Sequence, residues 1–137
     1  MKKNRKNIFF VILSAAVILI ISGCSIFTDN NPYILNSGKV YQLDDGIWNQ
    51  IGPDGKIAQK VTVSSSGTVY ILSEGRIYEL SDNKWISAGP AGPIAEAVAC
   101  SPDGTLWIVS SGLLYKLGDN KWVKSAPEDK IAEAVTF

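Results

Sequence analysis

The sequence predicts an all-β fold: a partial β-propeller of about three four-stranded blades, preceded by a cleaved helical signal peptide. Three observations predict it. The chain repeats itself at a period of 37 residues. Within each repeat, short apolar runs are separated by turn residues, the pattern of strands and hairpins. No segment sustains the 3.6-residue period of an amphipathic helix, which argues against a helical solenoid.

Residues 1–23 read as an export signal. Lys2, Lys3, Arg5 and Lys6 form a basic start, and Ile8 to Ile21 is an apolar run of 14 residues broken only by Ser14. Small residues, Ser22 and Gly23, then precede Cys24. A basic start, an apolar run and small residues before a cleavage point are the parts of a secretory signal. The Ile21-Ser22-Gly23-Cys24 string resembles the lipobox of bacterial lipoproteins. That resemblance implies diacylglyceryl attachment to the Cys24 thiol, cleavage before Cys24, and anchoring on the extracytoplasmic face of the cell membrane. Two or more acyl chains give a stable anchor, at ~0.8 kcal/mol per buried CH₂. The alternatives are an uncleaved transmembrane anchor and plain secretion. The apolar run is shorter than the ~20 residues that a spanning helix needs. Residues 24–30 are left as the lipidated cysteine and a short tether.

Composition narrows the function classes. The chain has 137 residues, 13 basic and 13 acidic side chains, and no histidine. Four of the positive charges belong to the export signal, so the remainder carries nine basic against 13 acidic groups, a net −4. This argues against nucleic acid as a partner, since phosphate binding needs clustered Lys and Arg. Without histidine there is no His-based triad and no His-ligated metal. Two cysteines are too few for a Cys-cluster zinc site. Asp54 and Asp103 stand in Pro-Asp-Gly turns, not in a calcium-loop series. No pair of carboxylates is singled out for acid–base work, so the chain is read as non-catalytic, with no cofactor and no metal. A Cys24–Cys100 disulfide suits an exported protein, but lipidation of Cys24 precludes it. Cys100, at the end of an apolar run, then reads as a buried, inert thiol.

The repeated region is 31–137, with units at 38–74, 75–111 and 112–137 and a first partial strand in 31–37. Gly38, Gly75 and Gly112 align without gaps, as do Tyr41, Tyr78 and Tyr115, and Leu43, Leu80 and Leu117. The series continues through Asp45, Asp82 and Asp119, then Trp48, Trp85 and Trp122, then Ile57, Ile94 and Ile131. In one unit, Ile94–Cys100 is a small apolar run, expected as an inner strand. A Ser101–Gly104 turn follows, then strands over Thr105–Ser110, Leu113–Leu117 and Lys121–Ser125. The register also places a strand at Pro32–Leu35 and a last one at Ile131–Phe137. That makes twelve strands, offset by one, the offset by which propeller rings close. Rings usually have about four to eight blades. Association of two chains head to tail into a six-bladed homodimer would be the simplest remedy; an open arc capped by something else, or a truncated copy of a longer ancestor, is the alternative.

Asp82-Asn83-Lys84-Trp85, Ile94-Ala95-Glu96-Ala97-Val98, Asp103-Gly104-Thr105-Leu106-Trp107-Ile108-Val109 and Gly112-Leu113-Leu114-Tyr115 together resemble the tectonin repeat. The resemblance covers 31–137. It implies propeller blades and, because tectonin-like propellers are often lectins, a glycan ligand. On that reading Trp48, Trp85 and Trp122 offer indole faces to sugar C–H groups and N–H groups free to donate. Asp45, Asp82 and Asp119 would bind hydroxyls. The other reading makes each Trp inter-blade packing and each Asp a turn former. Tyr41, Tyr78 and Tyr115 alternate with leucines and read as core. Gln59, Glu96 and Glu133 share one slot on the inner strands and read as a polar channel wall. A protein-interaction or scaffold module with no small ligand is the competing function.

Overall fold

The computed structural model describes residues 31–125 and 130–137; the export signal, Cys24 and the tether lie outside the described residues. The fold is all-β. Among the described residues, eleven strands form three antiparallel sheets in chain order. The first sheet holds β1 (Tyr33–Asn36), β2 (Lys39–Asp44) and β3 (Ile47–Ile51). The second holds β4 (Lys60–Val63), β5 (Val69–Ser73), β6 (Arg76–Ser81) and β7 (Lys84–Ser87). The third holds β8 (Ala97–Cys100), β9 (Leu106–Ser110), β10 (Leu113–Gly118) and β11 (Lys121–Lys124). Each sheet is a meander of neighbouring strands, which needs only short connections.

The hairpins explain much of the repeated sequence. Between the two outer strands of each sheet the turn residues are Asp45-Gly46, Asp82-Asn83 and Asp119-Asn120, all with positive φ. Two such residues make the turn whose twist matches that of the flanking strands, and Asp, Asn and Gly tolerate it best. The preceding hairpin uses Ser37-Gly38, Glu74-Gly75 and Ser111-Gly112 in the same way. Here glycine is required twice over. Its φ is +73 to +74, and a Cβ would lie 2.5–2.9 Å from the γ2 methyl of Ile57, Ile94 or Ile131.

No sheet has a core of its own. Val40, Ala58, Val69 and Ile71 are buried between the first two sheets, with Leu35, Tyr78, Leu80 and Trp85 packed against them. Leu72, Ile77, Ala95, Val98, Leu106 and Ile108 are buried between the second and third, with Tyr70, Tyr115, Leu117 and Trp122 around them. The burial of apolar surface that holds one unit is supplied by the next, as in repeat architectures generally. Neighbouring units are also tied by polar contacts. The Cys100 N–H donates to Thr62 Oγ1 at 3.2 Å, and Ser65 Oγ donates to the Pro102 carbonyl at 2.9 Å.

Two expectations are corrected. The inner strand of the third sheet begins at Ala97, not Ile94. Residues 94–96 instead cross over the preceding unit's hairpin, where the Ala95 N–H donates to the Gly75 carbonyl at 2.9 Å. Ile131–Phe137 is not a strand. A strand needs a neighbouring ladder, and β1, the strand that its repeat position would pair with, lies in another sheet at the opposite end of the array.

The Ser101–Thr105 turn carries a titratable lock. The Asp103 carboxylate accepts hydrogen bonds from Ser101 Oγ and from the Thr105 N–H, the latter at 3.0 Å. The serine bond, then the threonine ones, hold the Asp103 carboxyl below the ordinary aspartate value. A lowered folded value means that the lock is complete above the ordinary value and is lost as pH falls through the lowered one. Carboxyl-detected NMR titration should show Asp103 among the last aspartates to protonate. Ser101→Ala should move its midpoint upward; an unmoved midpoint would refute the assignment.

Candidate functional site

A groove of the same construction occurs twice. The first, of about 370 Å³, lies against the first sheet and is walled by Lys39, Gln50, Asp54, Lys56, Ile57 and Trp85. The second, of about 240 Å³, is walled by Arg76, Ser87, Ala91, Pro93, Ile94 and Trp122. Each residue of the second set is the 37-residue successor of one in the first. Each groove has a cation at the start of a strand, a polar side chain on the strand opposite, an exposed isoleucine on the crossing loop, and a tryptophan from the next sheet. Ile57 and Ile94 are 72% and 74% exposed, so both present methyl surface to an incoming molecule.

The strands place these groups by alternation. Val40 is 2% exposed and Ile77 4%, so the residue before each, Lys39 or Arg76, points to the opposite face. The crossing loop is pinned where the Ala58 N–H donates to the Gly38 carbonyl and the Ala95 N–H to the Gly75 carbonyl. Those bonds hold Ile57 and Ile94 over their glycines.

Electrostatics differ between the two grooves. In the first, Lys39 Nζ lies 2.8 Å from an Asp54 carboxylate oxygen, and Gln50 Nε2 donates to the same carboxylate at 3.2 Å. The hydrogen bond between them, then their opposite charges, push the Lys39 ammonium up; the same bond, with that from Gln50, draws the Asp54 carboxyl down. Both groups are exposed, so solvent screens the pair and its contribution to stability is small. Lys56 Nζ donates to Tyr78 Oη at 3.1 Å and stands 4.2 Å from that ring's centre. In the second groove Ala91 replaces the acid, and Arg76 has no ion-pair partner among the described residues. The first groove is therefore internally neutralised, while the second retains a guanidinium with bidentate donors.

The tryptophans are half-buried at the groove ends. The Trp85 indole N–H donates to the Pro53 carbonyl and the Trp122 N–H to the Pro90 carbonyl, both at 3.2 Å. The expectation that these N–H groups are free to donate is corrected: the neighbouring unit takes them. Only indole carbons remain for contact with a ligand. Trp48, on β3, is 42% exposed and makes no such bond among the described residues. Asp45, Asp82 and Asp119 are at the far hairpins, and none lines either groove. From Val40 to Asp45 is five residues of strand, about 16 Å. The structure thus brings Trp85 and Trp122 to the grooves and leaves the aspartates at turns. Cys24 lies outside the described residues.

Other residues have clear structural partners. Gln59 Oε1 accepts from the Glu74 N–H, and Glu96 Oε1 from the Ser111 N–H, each at 3.1 Å, so this slot caps a hairpin of its own sheet. Cys100 is a free, half-buried thiol; burial, then the Asp103 carboxylate, pushes its pKa up and disfavours the reactive thiolate. Among the described residues no cluster of three His, Cys, Asp or Glu side chains is placed to hold a metal ion. Sequence reasoning missed Lys39, Arg76, Gln50 and Ser87, because identity between units was the signal followed. Their signal is the reverse: matched positions whose chemistry varies on an otherwise constant frame.

No protein-family model matches the chain, and no curated protein matches it.

Proposed function

We propose that the protein is a bacterial lipoprotein, anchored through Cys24 on the extracytoplasmic face of the cell membrane. Its three sheets are tectonin-like propeller blades, and it binds glycan or cell-envelope polysaccharide without catalysing a reaction. The observation that carries this is the recurrence of one groove, position by position, at the 37-residue spacing. A polymer of repeating sugars suits an array of repeating grooves, since linked weak sites raise avidity. Each groove offers what a sugar needs: indole carbons and isoleucine methyls for the C–H face, and Lys39 with Gln50, or Arg76 with Ser87, for hydroxyls or acidic substituents. The free guanidinium of the second groove favours an anionic glycan there. Lipidation is tested separately, by the mass of the N-terminal peptide.

The binding test is fluorescence titration of the chain with purified envelope polysaccharide. Expected is a quench of tryptophan emission. Arg76→Ala should weaken binding by about 10-fold, the loss of ~1.4 kcal/mol expected for a charge-assisted hydrogen bond. Unchanged emission with every envelope glycan tried would overturn the reading. A second reading is favoured by one observation: Ile57, Ile94 and Ile131 are 72–84% exposed, one per unit, a row suited to a partner protein. Retention of a specific protein by the chain, lost on Ile94→Asp, would support that reading instead.

A further inference from the structure

We propose that residues 134–137 of one copy add to β1 of a second copy as the inner strand that its first sheet lacks among the described residues. This rests on the blade part of the proposed function, not on the glycan. The pairing follows from the repeat. In the second sheet Lys60 is opposite Leu72, Val61 opposite Ile71, Thr62 opposite Tyr70 and Val63 opposite Val69. In the third, Ala97, Val98, Ala99 and Cys100 face Val109, Ile108, Trp107 and Leu106. Carried to the ends of the array, the same register sets Ala134 opposite Leu35, Val135 opposite Ile34, Thr136 opposite Tyr33 and Phe137 opposite Pro32, antiparallel.

Among the described residues, neither half of this interface has a strand paired on it. β1 has one neighbour, β2, whereas its counterparts β5 and β9 have two. Ile34 is 38% exposed, while Ile71 and Ile108 at the same position are 0% exposed. β1, Tyr33-Ile34-Leu35-Asn36, contains no charged side chain, a usual device against strand addition. At the other end, the Ala132 N–H donates to the Gly112 carbonyl at 2.8 Å, the same lead-in bond that precedes β4 and β8. Phe137 rests on Trp107 with ring centres 5.7 Å apart. The segment is thus aimed as an inner strand and joins no ladder among the described residues.

Two side chains fit the same account. Gln59 and Glu96 cap the N–H fifteen residues on, at Glu74 and Ser111. The corresponding pair is Glu133 and the Ser37 N–H, which lie at opposite ends of the array. Trp85 and Trp122 are each seated against the unit before them, and Trp48, in the first unit, is 42% exposed. A preceding unit from a second copy would cover it. If both copies exchange ends, six sheets close about a two-fold axis, a size within the usual ring range. Rotation about that axis keeps residue Asn31 of both copies on one face, which suits the proposed anchoring of both to one membrane.

The test is interchain disulfide formation in membranes carrying two differently tagged full-length chains, both Cys100→Ala. One bears Ile34→Cys and the other Val135→Cys. Facing Cα atoms in an antiparallel pair are about 4.5–5.5 Å apart, within disulfide reach. Expected is an oxidant-dependent heterodimer, at least several-fold more than Asn36→Cys with Val135→Cys yields. A single chain with Val98→Cys and Ile108→Cys tests the blade itself by an intrachain bond. That bond without the interchain one overturns the proposal alone; absence of both overturns the blade reading with it. As a second measurement, the detergent-solubilised chain should have the mass of two copies, and Ile34→Lys the mass of one with an unchanged β-sheet spectrum. A single-copy mass for the unsubstituted chain would also overturn the proposal.

Discussion

Replacing Ile71 or Ile108 by alanine is expected to destabilise the chain by about 2–5 kcal/mol each. Both side chains are 0% exposed, and each sits at the centre of a different inter-sheet cluster. Their removal leaves a cavity that the flanking strands cannot close without breaking ladders on both sides, since β5 and β9 are paired on both edges. Native stabilities are only about 5–15 kcal/mol, so one substitution removes a large fraction. Denaturant unfolding should show the midpoint fall with little change in slope. The repeat supplies its own control. Ile34 is the same residue at the same strand position, yet 38% exposed. In the single chain, Ile34→Ala should cost well under half as much, and on the proposed exchange of ends its cost should grow with protein concentration. Equal, concentration-independent losses at residues 34, 71 and 108 would refute the open edge.

Much of this architecture was legible because the repeat is nearly gapless. Gly75, Tyr78, Leu80 and Trp85 recur at fixed spacing because each does the same job as its counterpart in the third unit: hairpin, core, core and seat on the preceding unit. In the first unit only the hairpin glycine keeps its job, since Tyr41 and Leu43 join neither core cluster of the described residues and Trp48 is 42% exposed. Local chemistry fixes those jobs, so strand type and most boundaries follow; Thr105–Ser110 was expected and Leu106–Ser110 found. The last strand was not legible. Ile131–Phe137 has the composition of an inner strand, but a strand is a relation between two segments, and composition says nothing of whether the partner is at hand. The indole N–H groups were misjudged for a similar reason. Their acceptors, the Pro53 and Pro90 carbonyls, are backbone atoms 32 residues back in the chain, which no side-chain pattern reveals. The groove cations escaped because Lys39 and Arg76 are followed by Leu113 in the third unit, breaking the series.

Gly52→Ala should cost about 2–5 kcal/mol, in part through Trp85. Two effects add. The φ of Gly52 is +74, a left-handed conformation that costs an alanine roughly 1–2 kcal/mol. The new Cβ would also stand 2.5 Å from Cζ2 and 2.7 Å from Cε2 of the Trp85 indole, and overpacking costs typically ~1–3 kcal/mol. Gly46 separates the two effects, because its φ is +80 and nothing lies within 4 Å of its added Cβ. Gly46→Ala should therefore show the backbone cost alone. In a Trp85→Ala background the penalty at Gly52 should fall to that of Gly46, a coupling that a double-mutant cycle reads directly. If the two glycines cost the same with Trp85 present, the indole yields freely and is not a seat between units. The same substitution tests the proposed glycan reading. Trp85 ends the first groove and Trp122 the second, so on that proposal displacing Trp85 should weaken binding in the first groove and leave the Arg76 groove intact. Loss of binding in both would mean that the grooves are not independent sites, and that the array binds its ligand as one surface.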